Sequence, residues 1–144
     1  KVGEEPKVIE YNVRLGDPET EVVLPRIKND LLTVFQAVHE EKLDEISLEV
    51  DPSFAATIVA TSGGYPEAYE KGKTIYGLES QQHKMIFHAG TTQQGEEINT
   101  SGGRVLAVTS FGIKHQEAVK DCYETLSKIN FEGINYRKDI GFDL

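Results

Sequence analysis

Between Val8 and Arg14, apolar or aromatic residues (Val8, Tyr11, Val13) are interleaved with polar ones (Glu10, Asn12, Arg14) two positions apart. A period of two predicts a strand that carries these three polar side chains on one face. Gly16-Asp17-Pro18-Glu19 follows and predicts a tight loop. Gly16 admits backbone geometry that other residues avoid, while Pro18 presets the turn and holds Asp17 extended. Ile27, Leu31, Phe35 and Val38 then recur at helical spacing, with Leu32 and Val34 widening the stripe. They predict a helix over about 27–41, with Pro25 just ahead of its first turn. Strands are predicted over 46–50, 53–61 (a small and β-branched run read as central), 74–78, 84–88, 97–100 and 104–109, with a polar hairpin tip at Gly95. The apolar stretch from Val105 to Val108 suits a sheet interior. A second helix is predicted over about 114–129, with Val119, Cys122, Leu126 and Ile129 as its stripe.

A succession of hairpin-like strands with two amphipathic helices predicts an α+β fold, a mainly antiparallel sheet with both helices on one face. The 144 residues suffice for one domain with a real core. Composition is that of a folded globular chain. A net charge of −9 argues against nucleic acid as a partner, because phosphate backbones require a basic surface. No run approaches the ~18 apolar residues of a membrane span. The single cysteine, Cys122, leaves no internal disulfide and no cysteine pair for zinc, which fits a reducing, cytoplasmic compartment. Its place on an apolar helical stripe predicts a core residue rather than a nucleophile.

The chemistry with most promise lies near the start. Glu10 and Asn12 present oxygens of the kind that hard cations such as Mg²⁺ accept, usually one or two from protein alongside substrate phosphates. Arg14 on the same face suits an anionic group beside such a metal. Asp17 and Glu19, held in the loop, suit an amine or ammonium. An exposed edge strand with salt bridges and an ordinary Asp-Pro turn accounts for the same residues, and residue types alone leave both readings open. Elsewhere the bland reading prevails. His39 has no partner at metal spacing. His88 has no acidic or nucleophilic partner evident from spacing and reads as a hydrogen-bonded structural residue. Gly63-Gly64 reads as a tight turn. Gly102-Gly103-Arg104 lacks the spacing of a phosphate-binding loop.

Glu10-Tyr-Asn-Val-Arg-Leu-Gly-Asp-Pro-Glu19 closely resembles the signature of the phosphoribosylamine–glycine ligases, also called glycinamide ribonucleotide synthetases, a family of ATP-grasp enzymes. The likeness continues, in the family's order and near its spacing, through Gly63-Gly-Tyr-Pro66, Phe87-His-Ala-Gly-Thr91, Gly102-Gly-Arg-Val-Leu106 and Tyr136-Arg-Lys-Asp-Ile-Gly141. It implies that the chain corresponds to the C-terminal portion of such an enzyme. Residues 1–26 would close the ATP-grasp domain with its last strand and loop, and 27–144 would form a C-terminal α+β domain. The N-terminal domains, with the nucleotide-gripping lysines and glycine-rich flap, would lie outside this chain. The implied reaction joins phosphoribosylamine and glycine, with ATP cleaved to ADP and phosphate, in purine biosynthesis. The implied partners are ATP, glycine, phosphoribosylamine and those N-terminal domains. Mg²⁺ (or Mn²⁺) would sit on Glu10 and Asn12, with Arg14 and Asp17 in the reacting centre and Arg14, Asp17 and Glu19 toward substrate. The segment with Arg137 and Asp139 would pack back toward the cleft. A sister ATP-grasp carboxylate–amine ligase, a carboxylase subunit, or a non-catalytic interaction module are the alternatives. The Gly16–Glu19 loop favours the amine ligase, and the intact Glu10/Asn12/Arg14 face argues against a purely structural module.

Overall fold

A computed structural model describes residue 3, residues 5–11 and residues 13–144. The central element is the strand β5 (Arg104–Gly112), antiparallel to β1 (Phe54–Thr61) on one side and to β2 (Met85–His88) on the other. Val105 through Ser110 are buried without interruption. An unbroken apolar run is what a strand covered on both faces and hydrogen-bonded at both edges requires. Ile58 stands opposite Val108 from β1, and Ile86 stands opposite the same residue from β2. The run at 53–61 is therefore a strand, as expected, but it flanks β5 instead of occupying the centre of the sheet. A separate hairpin pairs β3 (Thr91–Gln94) with β4 (Glu97–Thr100), turning at Gly95 with φ +63°.

One long helix covers this sheet, and the four-residue helix Thr20–Val23 also touches β1 and β5. α3 (His115–Leu126) packs on both β1 and β5. It inserts Ala118, Cys122 and Leu126 into a core shared with Ile58, Val105, Leu106, Ile129 and Phe131. Side chains four apart lie on one face of a helix, so Cys122 and Leu126 of the stripe read from the sequence are buried beside Ala118. Val119 is half-buried, and Ile129, though buried, lies past the helix end at Leu126, short of the expected 129. A polar tie supports the packing. Lys84 donates to Asp121 at 2.6 Å and Ser110 donates to the other carboxylate oxygen at 2.8 Å, joining the residue just before β2 to α3 and β5. The Lys84 hydrogen bond, more than any other cause, holds the Asp121 carboxyl below its ordinary range. Cys122 is fully buried, with its thiol directed at the carbonyls of Val108 and Ala56 at 3.3 and 3.4 Å. Burial pushes this thiol's pKa up, which suppresses the reactive thiolate. Thiol reagents should label the native chain slowly and the denatured chain fast; rapid stoichiometric labelling of the folded chain would overturn the core assignment.

The second helix behaves differently. α2 (Leu31–His39) begins at Asp30, whose carboxylate accepts the Thr33 amide at 2.9 Å. That N-cap starts the helix four residues later than the apolar spacing predicts. Ile27–Asn29 are engaged elsewhere: Ile27 bridges to Val50, the Lys28 amide donates to the Glu49 carbonyl, and the Asn29 side chain both donates to the Ser47 carbonyl and accepts the Glu49 amide. The same contacts explain why 46–50 forms only a bridge and no strand, since a side-chain amide takes the place of a ladder. α2 packs chiefly on the short turn Leu43–Glu45 and leaves Leu32, Phe35 and Val38 exposed. Both helices on one face of the sheet is thus corrected to one. The region 74–78 likewise reduces to bridges, Thr74 to Asn99 and Tyr76 to Asn130.

The strand predicted over 8–14 is not formed. Residues 6–11 and 13 lie outside any strand, and Ile9 and Val13 are each 95% exposed. A strand exists through its ladder, and among the described residues no neighbour supplies one for this segment.

Candidate functional site

The loop after residue 15 is closed by its own hydrogen bonds. The Gly16 carbonyl accepts both the Thr20 amide at 3.0 Å and the Thr20 hydroxyl at 2.5 Å, which launches α1 (Thr20–Val23). The Glu19 carboxylate folds back over Gly16, where a Cβ would meet Glu19 Oε2 at 2.1 Å. A side chain at residue 16 would displace the Glu19 carboxylate from this position. Glu10, Arg14, Gly16, Asp17 and Glu19 together line a polar cleft of about 350 Å³. Four of the side chains singled out in the sequence are thus brought to one concavity, although the strand expected to align them is absent. Asn12 lies outside the described residues. The Arg14 guanidinium donates to the Leu15 carbonyl at 3.1 Å.

A second residue, not singled out as a site candidate from the sequence, joins this loop to the sheet. Arg104, the first residue of β5, places Nη2 3.1 Å from Asp17 Oδ2 and donates from Nη1 to the Asp17 carbonyl at 3.2 Å. The relevant signal was the Gly-Gly-Arg triplet, read only as a weak phosphate motif. A cavity of about 560 Å³ lies beside this contact, lined among others by Pro18, Thr61, Tyr65, Arg104, Asn135 and Arg137. The C-terminal segment reaches this cavity through the backbone pairing of Thr61 with Asn135. Arg137 and Asp139 pair with each other, at 2.9 and 2.8 Å in a two-pronged contact that holds the Asp139 carboxyl below its ordinary range.

The remaining candidates have structural surroundings. His88 lies 3.1 Å from the Thr91 hydroxyl across the turn between β2 and β3. Gly63 sits where a Cβ would meet the Gly133 carbonyl at 2.8 Å, and Gly64 adopts φ +94°. Both glycines serve close approach and turning. Among the described residues no group of three or more His, Cys, Asp or Glu is placed to hold a metal ion, and no helix is long and apolar enough to cross a membrane.

An antiparallel sheet backed by one long helix, with an acidic loop pinned to its central strand, defines an α+β module. Comparison with known proteins agrees. Residues 55–143 match the family model described as phosphoribosylglycinamide synthetase, C domain. The chain belongs to this family. It is 45% identical over 137 residues to a phosphoribosylamine–glycine ligase of Caldanaerobacter subterraneus, covering 95% of this chain and 33% of that protein. The enzyme of the same name from Halalkalibacterium halodurans is 47% identical over 137 residues, with 94% and 32% covered. The crystal structure of phosphoribosylamine–glycine ligase from Thermotoga maritima superimposes with a TM-score of 0.74 at 39% identity, covering 94% of this chain and 33% of that one. The chain therefore spans about a third of the length of these relatives.

Proposed function

We propose that this chain is the C-terminal part of an ATP-dependent ligase joining phosphoribosylamine and glycine to give glycinamide ribonucleotide, ADP and phosphate. The observation that carries the reading is the convergence of Glu10, Arg14, Asp17 and Glu19 on one cleft, in a chain related along nearly its whole length to enzymes of that name. Residues 1–26 close the ATP-grasp domain and 27–144 form the C-terminal domain; the nucleotide-gripping parts lie in the rest of the protein. A cytoplasmic location fits the lone, buried cysteine.

The donor set fits a hard cation. Glu10 contributes a carboxylate to the polar cleft, the kind of oxygen donor that a hard cation shares with phosphate oxygens and water. Glu10 and Asn12 would hold Mg²⁺ (or Mn²⁺), which when bound neutralises the charge of the polyphosphate during transfer. Arg14 binds an anionic group, the glycine carboxylate or a phosphate, and keeps it oriented toward that charge. Asp17 and Glu19 attract the amines of the substrates and align the attacking nitrogen. The contribution of this module is positioning and electrostatics. The test is phosphate release with ATP, Mg²⁺, glycine and freshly made phosphoribosylamine. The longer protein should release phosphate only with both acceptors present, and the 144-residue chain alone should release none above background. Release that is indifferent to glycine would overturn the reading.

A further inference from the structure

We infer that Arg104 is a positioning residue: it holds the Asp17 loop in register with the cleft and so sets the affinity for the amine-bearing substrate. The inference rests on the function proposed above. Its basis is an asymmetry in how the guanidinium is supported at its two ends. At the root, the backbone of Arg104 is fixed on several sides. Its carbonyl accepts the Gly90 amide at 2.8 Å, Thr61 stands opposite it in the β1 register, and the preceding Gly103 and Gly102 carbonyls accept the Ser62 amide and hydroxyl at 2.8 and 2.9 Å. Gly103 has room for no side chain, since a Cβ there would fall 2.1 Å from the Tyr65 ring. The sheet therefore presents Arg104 from a rigid base.

At the tip, the guanidinium grips Asp17 twice, once at the carboxylate and once at the main-chain carbonyl. A planar fork that binds both groups of one residue constrains its side-chain rotamer and its backbone together, which a lysine ammonium does less well. The loop itself has internal ties through Gly16, Glu19 and Thr20. Those ties fix its shape but not its placement on the module. Downstream placement comes from the Thr109 hydroxyl, which reaches the Glu21 carbonyl at 2.8 Å. Arg104 supplies the hold on the cleft side, next to Asp17 and Glu19. Being half exposed, the pair adds little to global stability. Its effect falls on geometry, where a small displacement of a binding group is enough to weaken substrate capture.

The experiment compares Arg104→Gln, Arg104→Lys, Asp17→Asn and the Arg104→Gln/Asp17→Asn double variant by two readouts. In the 144-residue chain, amide resonances of Gly16, Asp17 and Glu19 are followed by NMR. In the longer protein, KM for phosphoribosylamine and for glycine, kcat and Mg²⁺ dependence are measured. Arg104→Gln should shift the loop amides, raise one of the two KM values about tenfold and show the same split between KM and kcat as Asp17→Asn. Arg104→Lys should recover part of the loss, and the double variant should be no worse than Asp17→Asn alone, because Arg104 acts through Asp17. Fully additive losses, or unshifted loop amides in Arg104→Gln, would overturn the inference. If the wild-type longer protein shows no glycine-dependent turnover, the ligase reading fails while the NMR arm still judges the clamp.

Discussion

Glu10→Gln in the longer protein should lower turnover on the order of 10²-fold or more while leaving the melting temperature of the module unchanged. The substitution keeps the size of the side chain and its capacity to accept a hydrogen bond, and removes only the negative charge. At a site where the protein gives few oxygens and the rest come from phosphate and water, one ligand charge is a large share of what the protein contributes. Stability should not change because residues 9 and 11, on either side of Glu10, are exposed and the core lies elsewhere. The signature to look for in steady-state kinetics is a raised Mg²⁺ requirement alongside the lost turnover. Near-normal turnover with an unchanged Mg²⁺ dependence would remove Glu10 from the metal site.

Gly90→Ala should be among the most damaging single substitutions in the module, costing about 3 kcal/mol or more and in practice much of the folded yield. The strain is steric. A Cβ on Gly90 would lie 2.5 Å from the Arg104 carbonyl oxygen and 2.6 Å from the Gly102 Cα, and both are backbone atoms that cannot swing aside. Relief requires the loop after β2 to part from the start of β5, which also breaks the hydrogen bonds from the Gly90 amide to Arg104 and from the Ser101 amide to Gly90. Gly102→Ala is the informative comparison. Its Cβ would approach the Gly90 Cα at 3.0 Å and the Arg104 carbonyl at 3.5 Å, so the loops need to give by only a few tenths of an ångström. Chemical denaturation of the two variants should rank Gly90→Ala well below Gly102→Ala, and equal stability would contradict the close-approach argument.

Much of this architecture is legible in the residues. Cys122 and Leu126, four apart, declare α3, although Ile129 of the expected stripe falls past its end. The continuous apolar run from Val105 to Val108 declares a covered strand, because burial on one or both sides leaves a trace in the pattern. Where polar side chains take over the work of the backbone, periodicity misleads. Asp30 caps α2 and Asn29 replaces a ladder at Ser47–Glu49, so a regular alternation at 46–50 yields no strand. Alternation at 8–14 fails for another reason: pairing depends on a neighbour that the local pattern does not encode. The cleft residues were legible because Glu10, Arg14, Asp17 and Glu19 are close in sequence. Arg104 was not, since its partner stands 87 residues away and only the fold brings them together.

The most direct test of the central claim follows the oxygen atoms of glycine. In the proposed reaction a glycine carboxylate oxygen attacks the terminal phosphorus of ATP and ADP departs. The nitrogen of phosphoribosylamine then attacks the carboxyl carbon, and the C–O bond breaks with the bridging oxygen leaving on phosphate. Glycine labelled with ¹⁸O in its carboxylate should therefore deliver one labelled oxygen to each inorganic phosphate, in step with formation of the amide product. The longer protein with wild-type Glu10, Arg14, Asp17 and Glu19 should give that one-to-one transfer, read by mass spectrometry of the phosphate. Amide formation accompanied by unlabelled phosphate would contradict the assignment of this cleft to an acyl-phosphate ligase.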